Sequence, residues 1–277
     1  MQYVLSDKEF EMFRSLIYDT CGISLGISKK ELVKARLTKR LNKTGIKTFN
    51  EYYNFVTKID KSGNELIQLL DHISTNKTDF FREKKHFDFL NTNLLPALIS
   101  SKEQSRNRKL RIWCAASSSG EEPYTLAMTV FNHIKPNNGW DVKILATDIS
   151  TRILQKAMDG TYKMDLLNDV PPGIVSSHFS KVLVDNANCY MAKPHLKDII
   201  TFRRFNLMTE QFPFKHPFDF IFCRNVMIYF DQETQNTLVK KFYGCLPKNG
   251  YLFIGHSETL SKTDNDFKYK QPAIYQK

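Results

Sequence analysis

The sequence predicts an α/β fold: an open sheet with crossover helices on its faces, a small all-helical N-terminal domain before it and an inserted antiparallel β subdomain. Three observations lead there. From Leu110 onward short apolar runs alternate with segments of helical periodicity, the rhythm of βαβ units. Before residue 75 the apolar spacing is helical throughout. Between about residues 160 and 200 the alternation breaks, and KVLVDNANCYMAK reads as a β-hairpin around Asp185, Asn186, Ala187 and Asn188. The predicted division is 1–75 for the helical domain, 76–109 for a connecting segment and helix, and 110–277 for the α/β domain with its insert.

Taken in order, Phe10, Phe13 and Ile17 mark a first amphipathic helix, Val33, Leu37 and Leu41 a second, and Leu66, Leu69, Leu70 and Ile73 a later one. STNKTDFFR, from Ser74 to Arg82, interrupts this periodicity with capping-type residues. A helical pattern resumes over His86 to Ile99 and gives way to a polar loop, Ser100 to Lys109. Then follow strand LRIWCA, helix 122–134, strand VKILATD, helix 151–158, strands TFRRFN and FDFIFCRN, helix 232–246 and strand YLFIGH. FKYKQPAIYQ supplies a final antiparallel edge, and DVPPG reads as a turn.

A chain of 277 residues with 42% hydrophobic content can bury one sizeable core and a smaller satellite. No apolar run approaches the roughly 20 residues that span a bilayer, and MQYVLSDKEFEMF carries acids where a signal peptide is apolar, so a cytoplasmic chain without membrane insertion is expected. Five scattered cysteines without a CxxC pair, and histidines without HExxH spacing, give no disulfide framework and no metal site. The net charge of +11 calls for an acidic partner. Eight basic residues and one acid lie between Lys29 and Lys47; Val33, Leu37 and Leu41 share one face while Lys29, Arg36, Lys39, Arg40 and Lys43 gather on another. That pattern is either a solvated helix face or a surface for the acidic partner.

The chemistry concentrates in LRIWCAASSSGEEPYTLAM, Leu110 to Met128. A strand runs into a small-residue turn, Ala115 to Gly120, and then into a helix opened by Glu121, Glu122 and Pro123. In an open α/β sheet this first turn lies at the carboxyl edge, where cofactors bind. A helix N-terminus ordinarily attracts phosphate, yet two carboxylates there repel it, and the GxGxxG and GxxxxGK[ST] fingerprints are absent. A cationic cofactor without phosphate, S-adenosylmethionine, answers that sign. The competing reading is that the acids complement the helix dipole.

Asp148 closes strand VKILATD 26 residues after Glu122, near the spacing of a ribose-binding acid, or else it caps the helix after DIST. Arg224 and Asn225 directly follow an apolar strand at the same edge, either lining the cleft or, for Arg224, making a structural bond, while Tyr229 is either a site residue or helix core. Asn206 is a similar case. NDVPPG is not the Asx-Pro-Pro-aromatic box of adenine methylating enzymes, because a valine intervenes and no aromatic follows. An RNA methyltransferase and a non-catalytic S-adenosylmethionine-sensing scaffold remain as competing readings.

Together TNKTDFFRE, WCAASSSGEEPYTLAM, ATDIS, FCRNVMIYFD and GYLFIGHSE resemble, in order and spacing, the motifs of the bacterial chemotaxis receptor glutamate methyltransferases, the CheR family. The resemblance covers nearly the whole chain. It implies a Rossmann-like S-adenosylmethionine-dependent methyltransferase sheet, a protein-glutamate O-methyltransferase that forms glutamyl methyl esters and S-adenosylhomocysteine on chemoreceptors for chemotactic adaptation, and no metal. It also implies that Asn76, Thr78 and Arg82 approach the methionine end of the cofactor, that Glu122 contacts it, and that Asp148 takes the ribose. Asn206, Leu207, Arg224 and Asn225 surround the nucleoside, while Arg82 and Tyr229 face the transferred methyl group. The implied partner is the acidic helical cytoplasmic region of a chemoreceptor, met by Arg36, Lys39 and Arg40, with no nucleic acid involved. The β subdomain would dock a receptor C-terminal peptide, although its hairpin turn is not the glycine-rich one of family members that do so.

Overall fold

The computed structural model describes residues 3–261 and 265–277, so residues 1–2 and 262–264 of the predicted domain ranges lie outside the described residues. Helix α1 (Asp7–Cys21) starts at a capping box between Ser6 and Glu9 and stops at Gly22 in the left-handed conformation. A 3₁₀ turn, Ile27–Lys29, leads into α2 (Lys30–Thr44). Helix α3 (Phe49–Asn54) winds into a π turn over Phe55–Ile59, and α4 (Asn64–Ile73) follows. Their apolar stripes form one cluster containing Phe10, Phe13, Ile17, Val33, Leu37, Leu41, Tyr52, Leu69 and Ile73, all predicted from spacing except Tyr52.

The basic face of α2 is not what the helical wheel predicts. Arg40 is 3% exposed, and its Nε and Nη2 donate to both carboxylate oxygens of Glu65 on α4 at 2.9 and 2.7 Å. The Tyr52 hydroxyl of α3 donates to the same carboxylate at 2.7 Å. Arg40 lies on the flank of the apolar stripe, three residues after Leu37 and one before Leu41, so a carboxylate on the facing helix draws it inward. It is a core residue joining three helices and leaves the acidic-partner surface, on which Lys29, Lys39 and Lys43 remain exposed.

Helices α5 (Lys85–Phe89) and α6 (Leu95–Gln104) are joined by a π turn, Leu90–Leu94. The predicted loop from Ser100 is helical as far as Gln104, since SSKEQ contains nothing that breaks a helix. The α/β part continues with β1 (Lys109–Ala115), α7 (Glu121–Phe131), β2 (Asp141–Asp148), α8 (Thr151–Asp159), β3 (Thr161–Lys163), α9 (Pro172–His178), β4 (Phe179–Val184), β5 (Ala187–Ala192) and α10 (Pro194–Lys197). After these come β6 (Ile200–Arg204), β7 (Phe220–Cys223), α11 (Gln232–Gly244), β8 (Tyr251–Phe253), β9 (Lys268–Gln271) and β10 (Ile274–Gln276). The main sheet has the order β6-β2-β1-β7-β8-β10-β9, with the first five strands parallel. Strands β10 and β9 close it as an antiparallel hairpin, two strands where a single edge was predicted. The insert is a separate antiparallel sheet, β3-β5-β4.

Two local details differ from the sequence reading. In DVPPG, Pro172 takes the first position of α9, where its missing N–H costs nothing, so the segment opens a helix. The hairpin turn is Asp185 and Asn186 alone, both at positive φ (47° and 61°), as a two-residue type I′ turn requires.

Strand side chains alternate between two cores. Leu110, Ile112 and Cys114 of β1 join Phe220 and Phe222 of β7 on one face. Trp113 and Ala115 join Ile221, Cys223 and Phe242 on the other. Burial on both faces explains the uninterrupted apolar runs. It also aligns the ends of β1, β2 and β7 at one carboxyl edge, where the connections leaving β1 and β7 run to opposite sides and a crevice opens. Among the described residues no helix is long and apolar enough to cross a membrane. Removing the acid beneath Arg40 by Glu65→Ala leaves a buried unpaired guanidinium and should cost about 3–5 kcal/mol, read as a lower urea midpoint; a midpoint equal to wild type would refute this role.

Candidate active site

The crevice is a cavity of about 500 Å³. Its walls include Asn76, Thr78, Arg82, Glu122, Asp148, Asn206, Leu207, Arg224, Asn225 and Tyr229, all of the predicted cofactor and methyl-facing positions. The N-terminal helices supply the remaining wall through Cys21, Ile23 to Gly26, Leu32 and Arg36. Three bonds fasten that wall: the Tyr18 hydroxyl donates to Asp231 at 2.6 Å, Ser24 N–H to the Tyr229 carbonyl at 2.8 Å, and the Asn206 amide to the Thr20 carbonyl at 2.6 Å.

The small-residue turn has the conformation its composition allows. Ala116, Ser118 and Gly120 have positive φ of 68°, 49° and 99°. A Cβ on Gly120 would lie 2.7 Å from the Tyr162 hydroxyl and 3.0 Å from Ala157 Cβ, so glycine is required there. The turn is tied to the next strand end, where Ser118 N–H donates to Asp148 Oδ2 at 2.9 Å, and Ser118 Oγ donates to the Asn76 carbonyl at 3.0 Å. Asp148 is not the helix cap, because Ser150 Oγ accepts from Ile153 N–H in that role. The carboxylate of Asp148 is 8% exposed and borders the cavity.

The two acids of α7 point to different places. Glu121 is buried against Ser119 Oγ at 2.7 Å and lies outside the cavity wall, and burial raises its pKa. Glu122 is in the wall and accepts from Arg224 Nη1 at 2.7 Å and from Cys114 Sγ at 3.1 Å. Arg224 is 5% exposed; its Nη2 donates to the Arg82 carbonyl at 2.5 Å and to Glu83 Oε2 at 2.9 Å. The opposite edge of Glu83, Oε1, accepts from Asn225 Nδ2 and His256 N–H, both at 3.1 Å. A second buried acid, Glu258, accepts from the backbone N–H groups of Asn225, Ile228 and Gly255 at 3.0, 3.2 and 2.5 Å and fixes the reversed backbone of Asn225, φ 57°.

Glu83 and Glu258 are the site residues that the sequence reading missed. Both lie inside motifs quoted above, and a carboxylate directly after Arg82 in a segment without periodicity was the available signal. Glu83, His86 and His256 bring potential ligand atoms within 4.8 Å of one another. Each Glu83 oxygen already accepts two donors, and burial, with Arg224 beside it, pushes the His86 imidazole down to a pKa of about 3. The cluster is organised around the guanidinium.

Arg82 and Tyr229 are half-buried walls of the same cavity. Arg82 Nη1 donates to the Lys77 carbonyl at 2.9 Å, and Tyr229 sits in the 3₁₀ turn Met227–Tyr229, outside the helix core. Both side chains of Asn206 and Arg36 have structural partners. Asn206 Oδ1 accepts from Met208 N–H at 3.0 Å, and the Arg36 guanidinium donates to the carbonyls of Ile73 and Ser74 and to Thr75 Oγ1. Arg36 therefore holds the segment that leads to Asn76 and is not a free surface charge. Of the three basic residues predicted to meet a partner, Lys39 alone is exposed.

Two family models cover the chain: the CheR methyltransferase all-alpha domain over residues 8–74 and the CheR methyltransferase SAM binding domain over 76–275. A chemotaxis protein methyltransferase of Borreliella burgdorferi is 44% identical over 99% of this chain and 95% of its own length. A probable chemotaxis protein methyltransferase of Rhizobium etli is 42% identical over 89% and 90%. The chemotaxis protein methyltransferase of Escherichia coli is 35% identical over 98% and 91%.

Glu83 gives the site a pH signature. Burial pushes its carboxyl up, but Arg224, Asn225 and His256 N–H outweigh this and hold it at about 2, below its usual 4.5. A depressed carboxylate contributes stability that is complete above its unfolded pKa and is lost as pH falls through the folded one. Stability should therefore decline between pH 4.5 and about 2, followed by near-ultraviolet circular dichroism, and Glu83→Gln should remove that component; superimposable acid-unfolding profiles would exclude it.

Proposed function

This chain belongs to the CheR methyltransferase family of chemotaxis protein methyltransferases, and we propose that it methylates glutamate side chains on the helical cytoplasmic region of a chemoreceptor. The reading is of a cytoplasmic protein-glutamate O-methyltransferase serving chemotactic adaptation. The observation that carries it is the gathering of Glu122, Asp148, Arg82 and Tyr229 on one cavity. Its volume of about 500 Å³ suits a cofactor-sized molecule. S-adenosylmethionine supplies an electrophilic methyl group, which ends as a γ-glutamyl methyl ester and leaves S-adenosylhomocysteine.

The residues present suit that cofactor. Two carboxylates line the crevice, and in this reading Asp148 takes the ribose hydroxyls and Glu122 a cationic centre, while Arg224 is already paired with acids. Asn76, Thr78 and Arg82 border the methionine end in this reading, and Asn206, Leu207, Arg224 and Asn225 the nucleoside. The acceptor carboxylate needs no strong base, because its reference pKa of about 4.3 leaves it ionised at neutral pH. Arg82 and Tyr229 have only to hold its oxygen in line, a matter of orientation. Their hydrogen bonds must stay loose enough not to stabilise the ground state.

Labelled methyl transfer from S-adenosylmethionine to receptor membranes, followed by alkaline release of methanol, tests the reaction. Methyl groups stable to alkali would point to a base or an amine as acceptor and defeat the ester assignment. Arg82→Ala should lower turnover on the order of a hundredfold with a much smaller change in cofactor affinity, and unchanged turnover would remove Arg82 from the chemistry. Reversing the exposed Lys39 and Lys43 to glutamate should slow receptor methylation a few-fold at low salt and leave cofactor affinity intact. An equal effect at high salt would argue against electrostatic attraction of the receptor.

A further inference from the structure

Glu83 stands behind the cavity wall, which Arg224 and Glu122 form and Glu83 does not. It is nevertheless the most connected acid of the site: Arg224 Nε and Nη2 donate to Oε2 at 3.3 and 2.9 Å, and Asn225 Nδ2 and His256 N–H to Oε1 at 3.1 Å each. On the cavity side, Glu122 takes the remaining arm of the same guanidinium at 2.7 Å. Two carboxylates around one guanidinium leave one net negative charge. Without Glu83, the cation of Arg224 and the anion of Glu122 would cancel where they meet the ligand.

We infer that Glu83 is a positioning residue that neutralises Arg224 from behind, so that Arg224 does not cancel the negative charge that Glu122 presents to the sulfonium of the cofactor. The inference rests on the S-adenosylmethionine reading above. It assigns Glu83 a part in distinguishing ligands: S-adenosylmethionine carries a sulfonium that S-adenosylhomocysteine lacks, while the ammonium, carboxylate and nucleoside are common to both. Loss of a charge near the sulfonium changes affinity for the first more than for the second, whereas loss of scaffolding changes both alike.

The test is isothermal titration calorimetry of the full chain with each ligand separately. Glu83→Gln should weaken S-adenosylmethionine about tenfold more than S-adenosylhomocysteine, and Glu83→Asp should keep the wild-type ratio. Because both ligands are titrated into one preparation, binding stoichiometry reports the folded fraction and the ratio of affinities is independent of it. Should Glu83→Gln fail to fold, the paired Glu83→Gln/Arg224→Met variant removes the buried ions together and again leaves Glu122 uncompensated, so it should retain the wild-type ratio. Equal weakening of both ligands in Glu83→Gln, no weakening at all, or a lost ratio in the paired variant overturns this inference while wild-type binding leaves the cofactor reading standing. A wild-type chain that binds neither ligand overturns the cofactor reading, and this inference with it.

Discussion

A buried guanidinium must be neutralised where it lies, and Arg224 meets that constraint by drawing carboxylates from two distant parts of the chain. Glu83 comes from the turn before α5 and Glu122 from the start of α7, while the Arg82 carbonyl takes a further donor. The requirement joins the segment after residue 75, the turn after β1 and the end of β7 in one place. Desolvation makes such a cluster costly if incomplete, so its members are fixed together or not at all. The rigid frame in turn sets where the half-buried side chains of Arg82 and Tyr229 can reach. Charge neutralisation inside the protein thus fixes one wall of the cavity.

Glu258 performs a related task with backbone partners. By accepting from Asn225, Ile228 and Gly255 it stabilises a left-handed residue at the end of a parallel strand, a position where Asn tolerates the conformation better than most side chains. The strand can then turn sharply, sending Arg224 inward and Tyr229 to the cavity. Strand β7 is only four residues long, and the acid does for its exit what a longer strand could not.

Much of this architecture was legible in the residues. Apolar runs buried on both faces identified the parallel strands, and their ends located Asp148, Arg224 and Asn225 at one edge because strand ends and carboxyl edges coincide by geometry. The sign of Glu121 and Glu122 indicated the class of ligand, but periodicity could not say which acid turned inward. Pairing across space was not legible. Arg40 lies between the apolar stripe and the exposed lysines of its helix, and Glu65 and Tyr52, on other helices, decide that it is buried. Glu83 and Glu258 escaped for a related reason, since their partners Arg224 and Asn225 lie far along the chain. Arg36 likewise looked free until the carbonyls after α4 came within its reach.

The wall contributed by the N-terminal helices has a consequence for how the molecule is assembled. Tyr18, Thr20 and Ser24 bond to Asp231, Asn206 and Tyr229, so the crevice is complete only when the helical layer is docked on the sheet. Anything that occupies the crevice therefore draws on both parts at once and couples their melting. The linkage makes the helices a structural half of the binding pocket, and a sheet domain expressed without them would carry the right residues around an open trough.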